Sequence, residues 1–112
     1  MQYLLLIYEN EKRFAKGYDE AEINEYQALS KQFSRNIQGG NALQPTSTAK
    51  TVRVRNGRPT KTDGPFAETK EHLGGFYLIE ASDMNAAMKV AEKIPAARFG
   101  CIEVRPIMTF SK

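Results

Sequence analysis

The run Tyr3-Leu4-Leu5-Leu6-Ile7-Tyr8 is apolar or aromatic at every position, so it must be covered on every side. It is too short to span a bilayer, which takes about 20 apolar residues. It also lacks the basic start and small-residue cleavage site of a secretory leader. A strand buried on both faces is the remaining reading. Gly75 to Ala81 repeats the pattern, with Phe76 and Leu78 on one face and Tyr77 and Ile79 on the other. A sheet built around two such strands needs cover above and below.

Helical periodicity supplies one layer. Asp19 stands three residues before Glu22 in capping-box spacing, with Tyr18 just outside. Ile23, Tyr26, Phe33 and Ile37 then recur at helical spacing, with Leu29 beside the stripe, and Gly39-Gly40 is expected to end this helix in a left-handed cap. Ser82 or Asp83 is expected to cap a second helix whose Ala87, Val90, Ala91 and Ile94 share a face, and Pro95 stops it. Between the helices, Leu43 to Pro45 reads as a short extended piece. Thr48 to Arg55 alternates, and Asn56-Gly57 is a hairpin signal because both central residues of a type I′ turn need positive φ. The polar strand Arg58 to Thr62 returns. Cys101 to Phe110 reads as the last strand, with Ile102, Val104, Met108 and Phe110 on one face and Glu103 and Arg105 on the other.

The order strand, helix, short strand, hairpin, strand, helix, strand is α+β. Without the hairpin it is the βαββαβ order of a ferredoxin-like sandwich. Two helices cover one sheet face only, so the second face is expected to be covered by the same surface of a second copy, giving a homodimer. The 112 residues form one domain, and 41% hydrophobic with 26% charged residues excludes wholesale disorder.

The single Cys101 excludes an intramolecular disulfide, and no Cys/His cluster has metal-ligand spacing. No metal or organic cofactor is expected, and a cytoplasmic location without membrane attachment is the simplest reading. The net charge of +3 is mild, and Lys50, Arg53, Arg55, Arg58, Lys61 and Lys70 gather in the middle of the chain. They read either as an anion-attracting patch or as the solvated face of a hairpin. With no nucleic-acid motif and no aromatic residues interleaved among them, nucleic acid is not the expected partner.

Asp63-Gly64-Pro65 carries a local constraint. Asp commonly closes a turn by accepting the backbone N–H two residues on, and here that residue is Pro65, which has none. The Asp63 carboxylate must therefore bond elsewhere: to the Phe66 N–H, to an arginine or to a ligand. Gly64, ahead of a proline, is pushed toward extended or glycine-only backbone. Asp63 thus has two readings, a backbone-capping residue of a tight loop or a partly free carboxylate beside Phe66. Glu68, Lys70, Glu71 and His72 follow, and Gly74-Gly75 at the next strand permits close backbone approach.

The stretch from Thr62-Asp63-Gly64-Pro65-Phe66 to Glu71, followed by Leu73-Gly74-Gly75-Phe76-Tyr77, resembles the DGPF signature of the YciI-related (YCII) domain family. The likeness extends to the first strand, the hairpin at Val52-Arg53, the helix begun at Asp83 and the closing Ile102-Glu103-Val104-Arg105-Pro106. It implies a ferredoxin-like fold paired into a dimeric α+β barrel. Relatives of that barrel fold include lactone isomerases and dehydrochlorinases, and DGPF proteins resemble partners of extracytoplasmic-function sigma factors. In the other branch of the family an early His is paired with an Asp. This chain has no His before His72, so that pair does not carry over.

The resulting candidates are Asp63 as acid or base, with Arg53, Gly64, Pro65, Phe66, Lys70, Glu71, Glu103 and Arg105 around a small polar or anionic ligand. Arginine forks would orient the anion. Glu103 and Arg105 could equally form an ion-pair network at the dimer interface. Tyr8 and Phe66 are either an aromatic wall or plain packing residues. His72, the one side chain of a type whose unperturbed pKa lies near neutrality, reads as solvent-facing in a charged loop, and Cys101 as a small buried hydrophobe. Cofactor-free lyase or isomerase chemistry and a non-catalytic module bound to a sigma factor are the two functional readings.

Overall fold

A computed structural model describes residues 1–110. Strand β1 (Gln2–Glu9) is central and pairs antiparallel with β5 (His72–Glu80) and β6 (Cys101–Pro106), while β2 (Ile37–Ala42) adds to the far side of β5. The sheet order β2-β5-β1-β6 with helices α1 (Glu20–Gln32) and α2 (Met84–Glu92) is that of the ferredoxin-like sandwich. Strands β3 (Lys50–Arg55) and β4 (Arg58–Asp63) form a separate two-stranded sheet. Asn56 at φ 52° and Gly57 at φ 74° make the expected turn. The radius of gyration is 16.1 Å, against about 13 Å for a compact chain of this length, because the hairpin projects from the body.

Alternation along β1 sets the layers. Tyr3, Leu5 and Ile7 are buried beneath the helices with Ile79, Ala87, Val90 and Ile94. Burial of one such side chain as complete as that of Leu5 is worth about 2 kcal/mol. The opposite face carries Leu4, Leu6 and Tyr8, with Leu78, Phe76 and Leu73 as their partners in β5. It has no covering layer within the chain, and its β1 side chains stay only half-buried.

Several expected boundaries move. Helix α1 stops at Gln32, where the Phe33, Asn36 and Ile37 N–H groups close a turn on Leu29 and Phe33 carbonyls. Ile37 and Gly39-Gly40 belong to β2, which takes the place expected for Leu43 to Pro45. The glycines serve the sheet there: a Cβ on Gly40 would sit 2.6 Å from the Phe76 carbonyl oxygen of the adjoining strand. Asp19 caps α1 alone, accepting from the Ala21 N–H at 3.0 Å, while Glu22 turns inward instead of completing a capping box. Asp83 rather than Ser82 caps α2, accepting from the Ala86 N–H at 2.8 Å. The last strand ends at Pro106, and Met108 and Phe110 lie exposed beyond it. No helix among the described residues is long and apolar enough to cross a membrane.

Candidate functional site

The Thr62–Phe66 turn roofs a cleft of about 940 Å³ at one end of the sheet. Gly64 takes φ 95°, a backbone only glycine adopts without strain. Its N–H donates to the Ala49 carbonyl at 2.7 Å and its carbonyl accepts from Thr51 Oγ1 at 2.9 Å, so the turn is tied to the hairpin base. Pro65 and Phe66 then reach the cleft, which Tyr8, Pro45, Lys70, Glu71, His72 and Cys101 also line. Arg53 leans from the hairpin with its guanidinium carbon 5.2 Å from the centre of the Phe66 ring, in cation–π range.

His72 is drawn inward by a register shift. Ile7 pairs with Gly75 and Tyr8 with Leu73, so Gly74 has no partner in β1 and His72 falls opposite Glu9. Its Nδ1 is buried without a hydrogen bond, 3.9 Å from Glu11 Oε2. Glu11 is held in place, accepting from the Thr46 N–H at 2.7 Å and from Thr46 Oγ1 at 2.9 Å. The imidazole of His72 is 20% exposed, so it is not the solvent-facing loop residue expected from the sequence. Glu11 was absent from the expected set, because only folding brings the residue after Asn10 to the strand that begins at His72. Cys101 is exposed rather than buried.

A model of the YCII-related domain matches residues 1–111. The chain belongs to the YCII-related domain family. A relative from Rhizobium meliloti (strain 1021), "Uncharacterized protein R00369", is 34% identical over 120 residues, covering 98% of this chain and 94% of that one. In fold, this YCII domain is similar to 5-chloro-2-hydroxyhydroquinone dehydrochlorinase from Burkholderia phenoliruptrix AC1100, solved in complex with 2,5-dihydroxybenzoquinone. The TM-score is 0.56 at 15% identity, over 96% of this chain and 94% of the other. At that identity the likeness is one of architecture.

Within the YCII domain of a single chain the sequence-derived candidates divide. Pro65, Phe66, Lys70 and Glu71 line the cleft, and Arg53 joins them through Phe66. Asp63 is absent from the cleft wall: its carboxylate accepts from Lys50 Nζ at 2.7 Å and is 89% exposed. That bond goes to the lysine directly across the hairpin register, and Pro65 has no N–H to offer the usual turn bond. Glu103 and Arg105 stand opposite Leu6 and Leu4 on the uncovered sheet face, exposed and without a side-chain partner among the described residues. Asp63, Arg53, Glu103 and Arg105 therefore do not line one cleft within one chain.

Proposed function

We propose that this YCII-domain protein binds a small anionic or polar ring compound in the cleft under the Thr62–Phe66 turn and catalyses cofactor-free proton transfer of lyase or isomerase type. The observation that carries the reading is the half-buried His72, its Nδ1 facing a carboxylate fixed by Thr46. An imidazole whose inner nitrogen faces a carboxylate can accept a proton at the outer one, Nε2. The imidazolium so formed would close the 3.9 Å gap to Glu11 as its charge develops. Lys70 and Arg53 supply the positive charge that draws an anion, and Phe66 with Tyr8 supplies flat apolar walls. The dehydrochlorinase named above makes hydroxylated benzoquinones the first compounds to test.

The uncovered sheet face is the proposed homodimer surface, since Leu4, Leu6, Phe76 and Leu78 form an apolar stripe with Glu103 and Arg105 beside it. Asp63 takes part in chemistry, on this reading, only where a second copy closes over that face. Light scattering is expected to give the mass of two chains, and a Leu6→Asp variant that of one; a monomeric parent contradicts the pairing. For the ligand site, His72→Ala is expected to abolish turnover of a bound ring compound while binding falls no more than about tenfold. Full turnover in that variant overturns the assignment of His72.

One observation favours a second reading, an interaction module of the kind that would dock on a sigma factor. Val52 and Val54 are 59% and 57% exposed on the projecting hairpin, beside its basic residues. A variant with Arg53, Arg55 and Arg58 all changed to Glu is expected to lose such a partner. Retention of every partner by that variant removes this reading.

A further inference from the structure

A second cleft of about 950 Å³ lies on the helix side of the sheet, between α1, the turn Glu11–Phe14 and strands β2 and β5. It is separate from the cleft under the Thr62–Phe66 turn, although both touch Leu43 and Pro45. It exists because α1 packs thinly: only Glu22 and Leu29 of its residues are buried, and Ile23 is 43% exposed. The lining combines aromatic rings with carboxylates. Phe14, Tyr18, Tyr26 and Tyr77 contribute rings, and Glu9 and Glu22 contribute charge.

Glu9 and Glu22 are each only 7% exposed. Both bond to a single nitrogen, Arg13 Nη2, at 2.8 and 2.9 Å. The guanidinium carbon of Arg13 also lies 3.7 Å from the ring centre of Phe99 and 4.9 Å from that of Phe14, and its Nε is buried without a hydrogen bond. One guanidinium thus serves two carboxylates, and the second oxygen of each makes no hydrogen bond within the described residues but keeps contact with solvent. The nearby charges do not correct the deficit, since Glu11 and Asp19 line the cleft against Lys12 alone. Glu11 is engaged with Thr46 and Asp19 caps α1, so neither is available to turn away. Two carboxylates against one guanidinium leave a net negative charge on the cleft wall, which favours a cation there. Burial first, then the charges of Glu9 and Glu22, raise the Tyr26 phenol well above its ordinary range, which keeps its hydroxyl neutral beside them.

We propose that this cleft is a binding site for an organic cation, a protonated amine or quaternary ammonium with an apolar body. The apolar body would fill the space left by α1, and the cationic head would sit between the rings and the Glu9–Glu22 pair. Carboxylates among aromatic rings suit a weakly hydrated cation better than a metal ion, which needs several converging oxygens. The site is independent of the proton-transfer reading given for the other cleft.

The test uses the whole chain, amide-labelled for NMR, titrated with benzyltrimethylammonium and, separately, with benzoate. A third titration pairs choline with its uncharged isostere 3,3-dimethylbutanol. The expected result is saturable binding of the two cations, with shifts at Glu22, Tyr26, Gly74 and Gly75. Benzoate and the neutral isostere should bind at least about tenfold more weakly. Tyr18→Ala, at an exposed ring, should weaken the cation severalfold with the remaining spectrum unchanged, and Glu22→Gln should weaken it more. Equal binding of choline and dimethylbutanol would reduce the cleft to an apolar hollow and overturn the proposal. So would shifts confined to Phe66, Lys70 and His72, or no saturable shift at all.

Discussion

The Nδ1 of His72 lies 3.9 Å from Oε2 of Glu11, a carboxylate that is itself clamped by two hydrogen bonds from Thr46. This contact joins three separate stretches of chain at one end of the sheet: the turn after β1, the connection that follows β2, and the start of β5. Glu11→Ala removes the acceptor for both Thr46 donors, so a loss of about 1–2 kcal/mol in folding stability is expected. Thr46→Val, which deletes only the hydroxyl, should lose about half as much. Urea midpoints at constant slope measure both.

Arg13 holds Glu9 and Glu22 together, and its removal leaves two buried carboxylates facing one another. Arg13→Met should destabilise the fold by about 3 kcal/mol. Adding Glu9→Gln and Glu22→Gln should recover most of that loss, because the penalty is uncompensated charge rather than missing contact. A triple variant no better than the single one would show that packing of the arginine on Phe99 dominates instead.

Gly75 pairs with Ala42 at the end of β2. A Cβ there would stand 2.9 Å from the Asn41 carbonyl oxygen, a backbone atom with no room to yield. Gly75→Ala is expected to cost about 2 kcal/mol or more and to raise amide exchange along β2. Gly39→Ala meets nothing within 4 Å and should change stability by less than about 0.5 kcal/mol. A reversal of that order would mean that β2 is placed differently.

Alkaline titration reads the helix-side cleft. Burial raises the phenols of Tyr26 and Tyr77 above the ordinary value near 10. The folded state therefore retains protons that the unfolded chain releases. That contribution to stability is complete below about pH 10 and is lost as pH rises from there toward the raised folded values. Tyr26 and Tyr77 should stay un-ionised by ultraviolet absorbance until the chain unfolds. Tyr26→Phe and Tyr77→Phe should each remove one such slow group.

The layers were legible because the β1 and β5 sequences are apolar on both faces while two helices can cover only one side. Helix and strand boundaries near Gly39-Gly40 were not, since a glycine pair serves a helix end and a close strand approach equally well. The bond of Asp63 to Lys50 follows from hairpin register, which Asn56-Gly57 already fixes. The position of Glu9 was readable too, as the next inward-facing residue after Tyr3, Leu5 and Ile7. Its partner Arg13 was not, because the turn after β1 has no periodicity. His72 escaped for a different reason: the strand was expected to begin at Gly75, and the register shift at unpaired Gly74 lets β5 start at His72 opposite Glu9.

The single histidine makes the central claim directly measurable, since its ring resonances need no assignment among others. With ring-labelled histidine, titration by 2,5-dihydroxybenzoquinone is predicted to shift the His72 ring together with the amides of Phe66 and Lys70, saturably, and to leave the Gly39 amide in place. Glu11→Gln should bind the same compound with turnover lowered at least about tenfold. Saturable binding that leaves the His72 ring unmoved, or no binding of this ring class at all, would contradict a proton-transfer site beneath the Thr62–Phe66 turn.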